Sequence, residues 1–184
     1  MTPALISRSE AAALSGASQT TVKKAVDQKV IPTRTISSRS YIEAEDVAML
    51  AMLSELGGVQ LGLGNKRQLR NWLRSRAGST ELKLSPALVV RRTNRVEEAR
   101  HRAARYARLR EKWIVRDPEI KGGEPVIRGS RVTVYTLAGR ISCGDSPSIL
   151  ETDYPHIPAE AREVAVMYAK ANPRRGRPRR PPAT

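Results

Sequence analysis

Between Trp113 and Asn172 the chain sets Asp117-Pro118, Gly122-Gly123, Pro125, Gly129 and Tyr154-Pro155 in one ordered array. Turn-formers at that density restrict the segment to short elements. Val126-Ile127 and Val132 to Val134 flank Gly129 and predict two short strands around a tight turn. Thr133 to Ser142 predicts a helix that Gly144 closes. Ser146-Pro147 opens a second helix, Tyr154-Pro155 breaks it, and Pro158 opens a third that runs to Ala171. The expected unit is a hairpin with three helices. Arg128 and Arg131 lie three apart near the turn, placed either to tie its carbonyls or nearby carboxylates together or to meet a ligand. The segment carries no paired carboxylates at a defined spacing, no Ser-His-Asp or Cys-His arrangement and no phosphate-cradling glycine loop, so no catalytic site and no cofactor are expected.

The run Asp117-Pro118, Gly122-Gly123, Glu124-Pro125-Val126-Ile127-Arg128-Gly129-Ser130-Arg131, with the distal Tyr154-Pro155, resembles the bacterial family called domain of unknown function 433. The resemblance covers about a third of the chain. It implies a VapB-like antitoxin that neutralises a PIN-like ribonuclease toxin, often with a DNA-binding domain upstream. It also implies a partner-binding and self-associating module rather than an enzyme.

The chain has 184 residues and a net charge of +15, enough length for one ordinary core or two small ones. The charge is unevenly placed. Residues 1–55 carry 6 basic and 6 acidic side chains, 56–112 carry 15 and 4, 113–171 carry 7 and 8, and the tail carries 5 and 0. A basic middle block and an arginine tail therefore supply the long-range attraction to a polyanion or an acidic protein surface. No apolar run approaches the ~18 residues that span a bilayer, and the N-terminus lacks a basic start followed by an apolar stretch, so a cytoplasmic protein is expected. Cys143 stands alone, His101 and His156 lie far apart, and neither a disulfide nor a zinc site is expected; Cys143 reads as a buried or half-buried small residue.

Ser7 to Glu10 has capping-box spacing and predicts a helix start; Gly16 permits a tight turn, and Ser18 can cap a second helix running to about Lys29. In that second helix Val22, Ala25 and Val26 turn inward. Gln19, Thr20, Lys23 and Lys24 then face outward as candidate contacts for base edges and phosphates in a major groove. After Ile31-Pro32, the serine-rich stretch Arg34 to Ile42 reads as a wing bearing Arg34 and Arg39, and Tyr41 precedes an acidic helix start at Glu43 to Asp46. The order is similar to MerR-like winged helix-turn-helix domains. A small helical packing unit with solvated lysines is the plainer reading of the same residues.

Val47 to Leu56 is apolar on nearly all sides, which calls for a second covering surface, either a homodimer partner or the next helix of the chain. Leu69, Trp72 and Leu73 align at helical spacing within Lys66 to Arg76, with Trp72 read as core. Leu82 to Val90 predicts an extended segment interrupted at Pro86. Asn94 to Trp113 predicts a long helix capped by Asn94, with Val96, Ala99, Ala103, Tyr106 and Leu109 on one face. Arg95, Arg102, Arg105, Arg108 and Lys112 form its outer face, available to nucleic-acid backbone, to an acidic partner or to solvent.

Pro173 to Pro182 is too rich in arginine and proline for a helix or a core and reads as a disordered, extended arm. Arg174, Arg175, Arg177, Arg179 and Arg180 are the candidate toxin contacts. The resemblance implies a PIN-like nuclease whose metal-binding carboxylates such arginines could pair with. Arg-Gly-Arg-Pro also resembles the centre of an AT-hook, so A/T minor groove and plain solvent remain the other two readings.

The expected fold class is mainly α with short β hairpins: a helix-turn-helix DNA-binding domain at 1-56, a basic linker or helical segment at 57-112, the domain of unknown function 433 module at 113-172, and an arginine-rich tail at 173-184. The expected function is the antitoxin of a type II toxin–antitoxin system that binds a PIN-like ribonuclease toxin and represses its own operon. The alternative is a stand-alone helix-turn-helix regulator whose AT-hook-like tail and middle helix only add salt-sensitive affinity.

Overall fold

The computed structural model describes residues 4–75 and 79–174, and among them the fold is mainly helical with short antiparallel hairpins. Strand β1 (Leu5–Ser7) leads into α1 (Arg8–Ser15), whose capping box is complete: the Ser7 hydroxyl accepts from the Glu10 amide at 3.2 Å, and the Ser7 amide donates to the Glu10 carboxylate at 2.6 Å. Gly16, at φ 73°, ends α1 in the left-handed conformation that glycine enters without steric cost. Ser18 then caps α2 (Gln19–Asp27). Strands β2 (Arg34–Ile36) and β3 (Arg39–Glu43) form a hairpin across Ser37-Ser38, and β1 pairs with the far side of β3 in the order β1-β3-β2.

A 3-10 turn, Ala44–Asp46, feeds α3 (Val47–Glu55), and α4 (Leu63–Arg74) follows. A hairpin of β4 (Glu81–Ser85) and β5 (Leu88–Arg91) turns at Pro86, where a proline costs the ladder nothing. Helix α5 (Asn94–Trp113) is the longest element, and its cap is Thr93 rather than Asn94: the Thr93 hydroxyl accepts from the Val96 amide at 3.3 Å. Both residues are good caps, and the extended backbone at Thr93 decides between them.

The C-terminal module begins one strand earlier than its glycines indicate. Strand β6 (Ile114–Arg116) pairs with β7 (Pro125–Ile127), while the expected strand at Val132 to Val134 reduces to a single bridge between Val126 and Thr133. Thr133 is already the cap of α6 (Val134–Ser142), so its neighbours cannot stay extended. Helices α7 (Pro147–Asp153) and α8 (Ala159–Ala171) start at the expected prolines.

One contiguous buried cluster runs from Ile6 to Tyr168. At its centre α5 packs against α1, α3 and α8, while α6 packs on α8. Residues Val47 to Met52 of α3 are all buried by helices of the same chain, so the all-round apolarity of this helix is satisfied internally and supplies no argument for a dimer. Two other sequence expectations give way. Trp72 is half-buried rather than core, with its indole N–H donating to the Ser79 carbonyl at 3.1 Å and the Arg92 guanidinium 4.7 Å from its ring centre. Cys143 caps the C-terminal end of α6 and is exposed.

Candidate functional site

Helix α2 turns Val22 and Ala25 into the core, and the same rotation leaves Gln19, Thr20, Lys23 and Lys24 exposed. The positive end of the helix dipole and two lysines share this one element. The hairpin that follows carries the other two expected contacts. Arg34 is exposed but tied within the sheet, donating to Glu43 on β3 at 3.2 Å. Burial pushes the Glu43 carboxyl up, yet the hydrogen bonds and charges of Arg74 and Arg34 outweigh it and hold the group below its ordinary value. Arg39 is exposed and, with Tyr41, lines a cleft.

That cleft, of about 620 Å³, lies between the β1–β3 ribbon and the helices α5 and α8, with Ser7, Arg39, Tyr41, Arg110, Arg116 and Tyr168 among its walls. Glu10 forms its floor, 3% exposed, and accepts from the Tyr106 hydroxyl at 2.5 Å and from Arg110 at 2.8 Å. Arg110 also donates to the Leu5 carbonyl at 2.5 Å, so this arginine and Glu10 together satisfy the outer edge of β1. Sequence reading found Glu10 only as a cap. Tyr106 and Arg110 lie four apart on α5, a spacing that puts both on one face, but nothing in the chain's order brings that face to Glu10.

The basic outer face of α5 is largely engaged inside the molecule. Arg105 grips Glu163 of α8 with contacts of 2.7 and 2.5 Å, Lys112 reaches Glu160 at 3.0 Å, and Arg102 donates to the Leu14 carbonyl at 3.1 Å. Burial pushes the Glu163 carboxyl up less than its hydrogen bonds with Arg105 pull it down, and the group sits below its ordinary value. Arg128 donates to the carbonyls of Lys112 and Glu111 at 2.8 and 3.1 Å, capping the C-terminal end of α5 where a cation suits the dipole. Arg131 stays exposed.

Of the expected tail contacts, Arg174 lies within the described residues and Arg175, Arg177, Arg179 and Arg180 lie outside them. Arg174 is bound by its own chain, donating to both oxygens of Glu124 at 2.7 and 2.9 Å. Among the described residues no group of three or more His, Cys, Asp or Glu side chains could hold a metal ion, and no helix is long and apolar enough to cross a membrane.

These features define a mainly helical protein in which a capped helix pair and a small three-stranded sheet sit on a helix shared with a hairpin-and-three-helix module. Residues 114–169, the heart of that module, match the family model described as protein of unknown function (DUF433). The uncharacterized protein y4eO of Sinorhizobium fredii (strain NBRC 101917 / NGR234) is 42% identical over 66 residues, a match covering 36% of this chain and 30% of that protein's length. The chain thus spans less than a third of the curated relative it matches. The crystal structure of Rv2018 from Mycobacterium tuberculosis aligns with 88% of this chain and 96% of its own at 18% identity and a TM-score of 0.38, a likeness too slight to bear on fold or function.

Proposed function

We propose that this chain is the DNA-binding antitoxin of a type II toxin–antitoxin pair: α2 and the β2–β3 hairpin contact operator DNA, and the arginine-rich tail engages the carboxylates of a PIN-like ribonuclease. The observation that carries the DNA-binding half is the exposed set Gln19, Thr20, Lys23 and Lys24 on one side of α2, followed in the chain by a hairpin with exposed Arg34 and Arg39. Gln19 and Thr20 suit base edges, the lysines suit phosphates, and Arg34 is positioned by Glu43 rather than left to wander. The basic face of α5 is withdrawn from this interface because α8 neutralises much of it. The antitoxin half is supported by the resemblance carried by residues 113–172 and by the tail composition.

Anisotropy titration of a duplex from immediately upstream of the chain's own reading frame, repeated across salt concentrations, tests the first half. Tight, salt-sensitive binding that exceeds binding to an unrelated duplex is expected, and equal affinity for both removes operator recognition. Co-expression with the neighbouring reading frame tests the second. Recovery of a stable complex that suppresses RNA cleavage is expected, whereas nuclease activity unchanged by the chain removes the antitoxin reading and leaves the stand-alone regulator. The in-chain engagement of Arg174 is the one feature favouring that second reading, since it takes an arginine away from any partner.

A further inference from the structure

Lys121, Gly122 and Gly123 take φ of 51°, 63° and 80°, so the backbone turns within three residues and delivers Glu124 immediately before β7. Facing it is Tyr135, in the first turn of α6, whose orientation is set twice: its hydroxyl donates to the Asn172 carbonyl at 2.8 Å, and its ring meets Tyr168 edge to face at 6.4 Å. Arg174 folds back into the space between them. One terminal nitrogen donates to both Glu124 oxygens at 2.7 and 2.9 Å, and the guanidinium carbon lies 4.7 Å from the centre of the Tyr135 ring. A notch of about 380 Å³, walled also by Arg116 and the two glycines, surrounds this contact. A carboxylate beside an aromatic face is a complementary surface for a flat, delocalised cation, and suits arginine better than the compact ammonium of lysine.

We propose that Glu124, Tyr135 and the Gly122-Gly123 turn form a guanidinium latch that holds the root of the arginine-rich tail through Arg174, and that an acidic partner surface opens it by competing with Glu124. The Glu124 and Arg174 side chains are 41% and 56% exposed, so the pair is reachable and screened by solvent, and a cluster of partner carboxylates can outbid a single one. The competition rests on the reading of the tail as a contact for a carboxylate-rich partner. The latch does not.

Limited trypsin digestion of the full chain separates the two parts. Trypsin must draw an arginine side chain into its own pocket with the flanking residues extended, so a latched Arg174 is protected while the bond after Arg179, five residues on, serves as an internal reference. Mass spectrometry counts the peptides beginning at Arg175 and at Arg180. The 174-to-179 cleavage ratio should rise about threefold to tenfold in Glu124→Ala and in Tyr135→Leu, and stay at the wild-type value in Glu119→Ala, which removes an equal charge from the same module. The same ratio in wild type and both latch variants overturns the latch. Fluorescein-labelled polyglutamate then probes competition without any nuclease or DNA. Glu124→Ala should bind it about threefold more tightly than Glu119→Ala does; equal tightening in the two would mean that net charge alone is responsible and would overturn the competition.

Discussion

Glu10 shows how one residue can satisfy a local rule and a distant one together. As the third residue of the capping box it closes the start of α1, and the same carboxylate accepts from Tyr106 and Arg110 on α5. Burial pushes its carboxyl up, but the Arg110 charge, the Tyr106 hydroxyl and the Ser7 amide together hold it below the ordinary value. Burial and the neighbouring carboxylate push the Tyr106 hydroxyl far upward, so it stays a donor. Glu10→Ala leaves Arg110 without its carboxylate partner and should cost about 3 kcal/mol in urea unfolding. Because the folded-state value is depressed, the stabilisation is present above the ordinary glutamate value, about pH 4.3, and is lost as pH falls through the lower folded one. The stability difference between wild type and Glu10→Gln should therefore shrink below about pH 4.3; a gap that stays constant down to pH 3 counts against the buried pair. Ser37 and Ser38 at the hairpin tip take φ of 46° and 63° without being glycine. Ser38→Gly should raise the unfolding free energy by about 1 kcal/mol, and an unchanged value would mean that the turn relaxes in solution.

At the scale of the element, capping signals were the most legible part of the chain. Ser7, Ser18, Pro147 and Pro158 each start a helix where local chemistry says they should, because a cap acts within three residues of itself. Strand β6 was not legible because Ile114–Arg116, three residues between the end of α5 and the Asp117-Pro118 turn, is too short to show an alternation of its own, and pairing with β7 is what defines it. The basic face of α5 misled for the opposite reason: composition shows charge but not that Glu160 and Glu163, some fifty residues on, return to meet it. Helix α2 was read correctly as to which residues face out. Its lysines belong to the proposed interface, so Lys23→Ala with Lys24→Ala should lower the slope of log affinity against log salt by about 0.9 per lost phosphate contact while leaving the melting temperature near wild type. An unaltered slope would move the interface elsewhere.

For the whole molecule, α5 is decisive. It was placed among residues 57–112 as part of a basic segment between two modules, and it packs against α1, α3 and α8 within one contiguous core. The buried Asp46 adds a second tie, held by Arg70 at 2.7 and 3.0 Å and by Arg74 at 3.3 Å, which fixes α4 to the start of α3. Urea unfolding should accordingly be one transition, with tryptophan fluorescence from Trp72 and Trp113 and far-ultraviolet circular dichroism giving the same midpoint. Separate midpoints would show that the two ends fold independently and that α5 serves only one of them.

From its residues alone the chain determined what short-range chemistry controls: helix starts, turn positions, the outward face of α2 and the uneven distribution of charge. Tertiary structure decided the rest. Which arginines stay available, what covers α3, where Glu10 finds its partners and how Arg174 meets Glu124 all depend on contacts between residues dozens of positions apart. The physical reason is range: a cap or a glycine turn is settled by its nearest neighbours, whereas a charge is neutralised by whatever the folded chain carries to within a few ångströms of it.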